Sequence, residues 1–191
     1  MPKSVSYKSH FVDNDIDLLH QLKSDETKEA AFKELLKLYK ERLYWHIRHI
    51  VKSHDDADDV LQNTFIKIYR NIHSFKGESK LFSWMYRIAT NEAITHINQN
   101  AKRLNMTSEA LQNRTIDLLK ADVYFEGDDI QMKLQIAIAT LPEKQQLVFN
   151  MKYFQDMKYK DMSEILNTSE GALKASYHIA TKKIEEYLIE N

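Results

Sequence analysis

The stretch 159–184, YKDMSEILNTSEGALKASYHIATKKI, holds two helical periods separated at Asn167-Thr168-Ser169. A short helix over 159–166 is followed by a tight connection and a longer helix over 170–188. Along the longer helix Leu173, Tyr177, Ala180, Ile184 and Leu188 recur at the spacing of one buried stripe. This is helix-turn-helix order. Asn167 stands where such turns usually place Gly, and Asn tolerates left-handed backbone better than most side chains. Lys174, His178, Thr181 and Lys182 fall on the outward face, where they are free to meet DNA. Upstream, Leu141-Pro142-Glu143 opens a further helix to about residue 154, with Pro tolerated in its first turn.

Further toward the N-terminus, three more helices are predicted. Over 30–51 the apolar stripe is Ala31, Leu35, Leu38, Leu43, Ile47 and Ile50. The next helix begins near Asp55 and presents Ala57, Leu61, Thr64, Phe65, Ile68 and Ile72 on one face. Its first turns carry Asp55, Asp56, Asp58 and Asp59, which suit the positive end of the helix dipole. A calcium loop is the weaker reading of that cluster, because the EF-hand spacing and its central Gly are absent. Phe75-Lys76-Gly77-Glu78-Ser79 breaks the pattern, and a third helix runs over 81–98 with Trp84, Ile88, Ala89 and Ile94 inward.

Composition supports an all-α reading. The 191 residues include 3 Gly and 2 Pro, too few for a sandwich or a βαβ array with turns at every connection. The absence of Cys excludes disulfides, iron–sulfur clusters, Cys-ligated zinc and thiol nucleophiles. None of the 8 His sits in an H-E-x-x-H pattern, and no cofactor is expected. Residues 1–20 lack the apolar core of a signal peptide and no window approaches a membrane span, so a cytoplasmic chain is expected.

Near-neutral net charge of −1 hides a local contrast. Residues 75–103 carry five basic side chains against two acidic, whereas 104–130 carry two basic against six acidic. The second stretch has weak periodicity and reads as an acidic linker between two helical domains, 1–103 and 131–191.

The segment DDADDVLQNTFIKIYRNIHSFKGESKLFSWMYRIATNEA at 55–93, with LPEKQQLVF at 141–149 and the 159–184 stretch, resembles an extracytoplasmic-function (ECF) sigma factor of the sigma-70 family. The resemblance implies a region 2 helical bundle and a region 4 helix-turn-helix. It also implies a non-enzymatic factor that binds core RNA polymerase and directs initiation at the −10 and −35 elements of promoter DNA. An anti-sigma factor is a further partner that the family admits.

By the same resemblance, Asp59, Gln62, Asn63 and Phe65 are the polymerase-docking positions, with Asn63 in place of the usual Glu. Phe75, Lys76, Lys80, Trp84, Arg87 and Asn91 are the −10 positions, where aromatic surface offsets lost base stacking and cations meet phosphates. Ser169, Glu170, Lys174, Ser176, His178 and Lys182 are the −35 positions. Arg is missing from this helix, so phosphate contacts, helix N-terminal amides and DNA shape are expected to outweigh bidentate base readout. The linker is expected to run toward the RNA exit path.

Plainer readings of single residues stay open at this point. Trp84 is as well read as core, Tyr177 lies on the apolar stripe, and His178 fits a solvated surface nearly as well as DNA. Phe75, beside Gly77, is expected to be exposed. Two other functions remain: a helix-turn-helix repressor or activator acting without polymerase, and an adaptor that binds only proteins. The adaptor reading is kept alive by the seven Lys against eight acidic residues in 141–191.

Overall fold

The computed structural model describes residues 14–120 and 129–191. Among them are nine α-helices and no strand: α1 (Asn14–Lys23), α2 (Lys28–Val51), α3 (His54–Asn71), α4 (Leu81–Arg103), α5 (Ser108–Lys120), α6 (Asp129–Ala139), α7 (Glu143–Tyr153), α8 (Tyr159–Leu166) and α9 (Glu170–Glu190). A short 3-10 turn, Ile72–Ser74, follows α3.

Helices α2, α3 and α4 pack on one another, and α1 closes the bundle against α2. The predicted α3 stripe is buried throughout, with Val60 added. On α2 the buried set is Ala31, Leu35, Tyr39, Leu43, His46, Ile47 and Val51, so Tyr39 and His46 take places that the apolar pattern assigned to Leu38 and Ile50. On α4 the inward row is Leu81, Met85, Tyr86, Ala89, Thr90 and Ala93, and Trp84, Ile88 and Ile94 are only half-buried. The expected stripe was one position out of register, because α4 is apolar on two neighbouring faces and meets two sets of partners.

The linker reading needs correction over half its length. Residues 108–120 form α5, whose start is capped by Thr107 Oγ1 accepting the Ala110 amide at 3.1 Å. Leu119 is buried, α5 packs on α6, and Gln112 Nε2 donates to the Ala139 carbonyl at 3.1 Å. The acidic run at 121–128 lies outside the described residues.

Helices α6, α7 and α9 enclose a small core of Ala137, Ile138, Leu141, Phe149, Ala180 and Ile184. The other sides of α7 and α8 face the first bundle. Val148, Met151, Met157, Met162, Ile165 and Leu173 are continuous with its buried cluster. Each fully buried side chain of this size stabilises the seam by about 1.5–3 kcal/mol. The two helical blocks are thus joined by an apolar seam as well as by the chain.

Candidate nucleic-acid interface

The outer face of α3 follows from its cap. Ser53 Oγ accepts the Asp56 amide at 3.3 Å, and Asp55 and Asp56 occupy the first turn. With Ala57, Leu61, Phe65 and Ile68 turned into the core, Asp59, Gln62 and Asn63 share the solvent face at i, i+3 and i+4. Ile66 continues that row and is 41% exposed. It escaped the sequence reading because a single exposed Ile looks like ordinary surface. Phe65 departs from expectation: it is buried, edge-to-face with Phe32 at 6.2 Å, and supports the helix from behind.

The loop before α4 turns at Gly77, whose φ of +77° is the left-handed region that side chains disfavour. Phe75 was expected to be exposed but is 5% exposed. Its ring lies 5.2 Å from Trp84, and its carbonyl accepts Lys23 Nζ at 2.6 Å. The physical reason is that the 3-10 turn folds Phe75 back over the bundle end instead of releasing it with the glycine. Lys76 is exposed, and Lys80, Trp84, Arg87 and Asn91 fall along one edge of α4 at helical spacing. Trp84 is half-buried, with its ring resting on Phe75.

Two of these cations already have partners. Lys80 Nζ donates to Asp161 Oδ1 at 2.6 Å, and that hydrogen bond holds the ammonium above its ordinary pKa range. Arg87 Nη2 donates to the Glu164 backbone carbonyl. Asp161 and Glu164 lie on α8, which packs on α4. Nothing in the local sequence signals this pairing, since the partners are 81 and 77 positions apart.

The turn between α8 and α9 is as expected, with Asn167 at φ 50°. Ser169 is the N-cap of α9, its hydroxyl accepting the Ala172 amide at 3.3 Å. Lys174, His178 and Lys182 are exposed on one side of α9. Lys174 is 4.0 Å from Glu170 and sits over the Tyr159 ring at 5.6 Å. Ser176 is half-buried and does not share their face: at roughly 100° per residue it sits nearly opposite Lys174. Ala172, Ala175 and Ile179 are exposed beside the basic row and were not picked out as candidates from sequence. Tyr177 packs against both buried clusters and is stacked on Phe149 at 5.7 Å.

Comparison with known proteins agrees with this geometry. The family described as Sigma-70 region 2 matches residues 35–103, and Sigma-70, region 4, matches residues 131–184. The ECF RNA polymerase sigma factor SigW of Bacillus subtilis is 27% identical over 168 residues, covering 84% of this chain and 90% of that protein. The ECF RNA polymerase sigma-E factor of Haemophilus influenzae is 28% identical over 165 residues, covering 82% of this chain and 87% of that protein. Among solved structures, CnrH in complex with the cytosolic domain of CnrY is similar with a TM-score of 0.69, at 20% identity and over 94% of this chain and 99% of that one. RpoE of Bartonella quintana, in complex with the anti-sigma factor NepR, is similar with a TM-score of 0.62, at 21% identity and over 82% of this chain and 96% of that one. With region 2 on the α2–α4 bundle and region 4 on α6–α9, in that order along the chain, the protein belongs to the sigma-70 family of transcription initiation factors, within its ECF group.

Proposed function

We propose that this chain binds core RNA polymerase through α3, reads and opens the −10 element along α4, and contacts the −35 duplex through α9. The observation that carries the reading is the α3 face, where Asp59, Gln62 and Asn63 are all exposed over a fully packed core. Charge and amide groups there fit a basic partner helix, and the exposed Ile66 supplies an apolar anchor at the centre of the row.

On α4, Lys76, Lys80 and Arg87 supply cations for phosphates, and Asn91 supplies a base-edge donor and acceptor. Trp84 offers half a ring face for stacking, with Phe75 buttressing it from below. Opening a base step costs a few kcal/mol, a sum within reach of one stacked base and two or three phosphate contacts. On α9, Lys174 and Lys182 fit phosphates, and His178, Ala175 and Ile179 fit the groove floor, where apolar side chains meet thymine methyl groups. An anti-sigma protein is a further candidate partner, since both similar structures are of complexes and one holds a protein so described.

The test is reconstituted transcription. Added to purified core polymerase, the chain should give promoter-specific transcripts, which core alone does not, and Asp59→Lys should abolish them by loss of core binding. Site-specific footprinting by the chain alone, undiminished without polymerase, would favour the repressor reading instead. Binding to neither polymerase nor DNA would favour the adaptor.

A further inference from the structure

The polar contacts between the two helical blocks fall on the strand-reading edge of α4. Asp161 takes Lys80, the Glu164 carbonyl takes Arg87, and the Glu164 carboxylate stands in the same row, its Oε2 buried with no hydrogen-bond partner among the described residues. Asp161 is only 15% exposed at its side chain, so its carboxylate is set into the contact and does not stray into solvent. The row Asp59, Gln62, Asn63 and Ile66 on α3 is exposed in the same arrangement.

We propose that α8 masks the −10 surface in the free chain: Asp161 and Glu164 occupy Lys80 and Arg87 in place of DNA phosphates, while the polymerase-docking face of α3 stays open. This rests on the reading of Lys80 and Arg87 as −10 contacts. The carboxylate and the carbonyl offer these cations what a phosphate would offer, anionic or dipolar oxygen at hydrogen-bond distance.

The hold has two components. A half-exposed ion pair contributes little by itself, so Lys80–Asp161 fixes where α8 sits more than how firmly. Firmness comes from the apolar seam of Met151, Met162 and Ile165, and from polar latches at its edge. There Asn150 Nδ2 donates to the His49 carbonyl at 3.1 Å, Gln155 meets His46 at 3.1 Å, and the His49 ring stacks on Phe154 at 4.6 Å. The mask sets an order of events. Polymerase can engage α3 without disturbing α8, whereas a DNA strand on α4 must first displace it. A factor closed in this way is kept from single strands until it is on the enzyme.

The experiment uses the full chain with two measurements. The sequence has no Cys, so Gln99→Cys on α4 and Lys183→Cys on α9, both exposed, give two unique spin-label sites. The free chain should show one short inter-label distance, and the complex with core polymerase and a premelted promoter should show a longer one. In parallel, the Asp161→Asn/Glu164→Gln double variant should bind a fluorescein-labelled 20-nucleotide AT-rich single strand three- to tenfold more tightly than wild type at low salt. Its affinity for core polymerase should be unchanged. Gln155→Ala, which loosens the junction at a distant latch, should raise strand affinity in the same direction. Equal strand affinity for wild type and both variants, or an unchanged inter-label distance in a transcribing complex, overturns the mask. Strand binding by none of them, even on core polymerase, removes the −10 reading and the mask with it.

Discussion

His46 on α2 and Gln155, in the loop after α7, meet ring to amide at 3.1 Å across the junction of the two helical blocks. The other ring nitrogen lies 2.8 Å from Thr90 Oγ1, and Thr90 donates in turn to the Tyr86 carbonyl at 2.8 Å. The neutral tautomer with its proton on Nε2 satisfies this chain: it donates to Thr90 and accepts the Gln155 amide at Nδ1. Burial is the main cause that lowers the His46 pKa to about 4 from an ordinary 6.5, with the Gln155 bond opposing it.

A pH dependence of stability follows. Between about pH 6.5 and 4 the unfolded chain binds a proton at this position that the folded chain refuses. The contribution is therefore complete above about 6.5 and is lost as pH falls toward 4. Its full size is of the order of 2–3 kcal/mol, at about 1.4 kcal/mol per unit. Thermal unfolding of wild type and His46→Gln across this range checks it. The variant should show a shallower slope, and equal slopes would remove His46 as the cause.

Lys52 gives an opposite kind of prediction, in which removal of a charge stabilises the fold. It caps the C-terminus of α2 at φ 64°, is 2% exposed, and its amine has no hydrogen-bond partner among the described residues. Burial, reinforced by nearby Arg48, lowers its pKa to about 7. Lys52→Met keeps the stem and discards the stranded ammonium, so unfolding at pH 7 should cost about 1–3 kcal/mol more than in wild type. Wild type should gain stability from about pH 7 to 10.5, where only the unfolded chain holds the proton. The variant should lack that rise, which calorimetry at pH 7 and 9 can read.

Phe75 and Asn91 separate structure from strand opening. Phe75 is buried, so Phe75→Ala should cost about 3–5 kcal/mol of stability and lower every activity together. Lys80→Ala and Asn91→Ala are surface changes whose cost should stay near 0.5 kcal/mol. Their loss should appear in open-complex formation alone, and a premelted bubble should restore it. Bubble rescue of Phe75→Ala to wild-type activity would return that ring to the DNA surface.

The helices and the turn at Asn167 were legible in the sequence because periodicity and capping are local. Ser53, Ser169 and the apolar rows of α3 and α9 announce their own elements. Helix α5 was legible too, through Thr107 and the spacing Leu111, Thr115 and Leu118, but the neighbouring acidic residues masked that weak period. Contacts between the blocks were not legible. Lys80 reads as a free cation until α8 is set against α4, and Asp161 reads as a solvated carboxylate on a short helix. Burial of Phe75 depended in the same way on how a three-residue 3-10 turn directs the chain after Ile72.

The closed seam also changes the expected proteolysis. A polar, aperiodic linker would release two fragments under mild trypsin treatment. With α5 packed on α6 and α8 packed on α4, the free chain should resist separation even if cut once. A nicked chain should elute as one species by size exclusion under native conditions, and in the mask's terms should separate when Gln155→Ala is added. Two freely separating fragments from nicked wild type would show that the seam does not hold.

Helix α9 allows the finest division of roles. Lys174 and Lys182 lie eight positions apart on one face with His178 between them, a little over two turns along a groove. Removing either Lys should weaken −35 binding by a similar factor on every sequence and lower the salt slope by about one unit, as expected for a phosphate contact. Ala175 and Ile179 occupy the same exposed surface without charge, so Ile179→Ser should change sequence preference at a thymine and leave the salt slope alone. Ser176→Ala should do neither, because Ser176 is half-buried on the far side of the helix. Binding-site selection with core polymerase, repeated at two salt concentrations for each variant, reads both quantities at once. A changed preferred sequence for Lys174→Ala or Ser176→Ala, with none for Ile179→Ser or His178→Ala, would turn the helix about its axis relative to the groove and reassign the reading face.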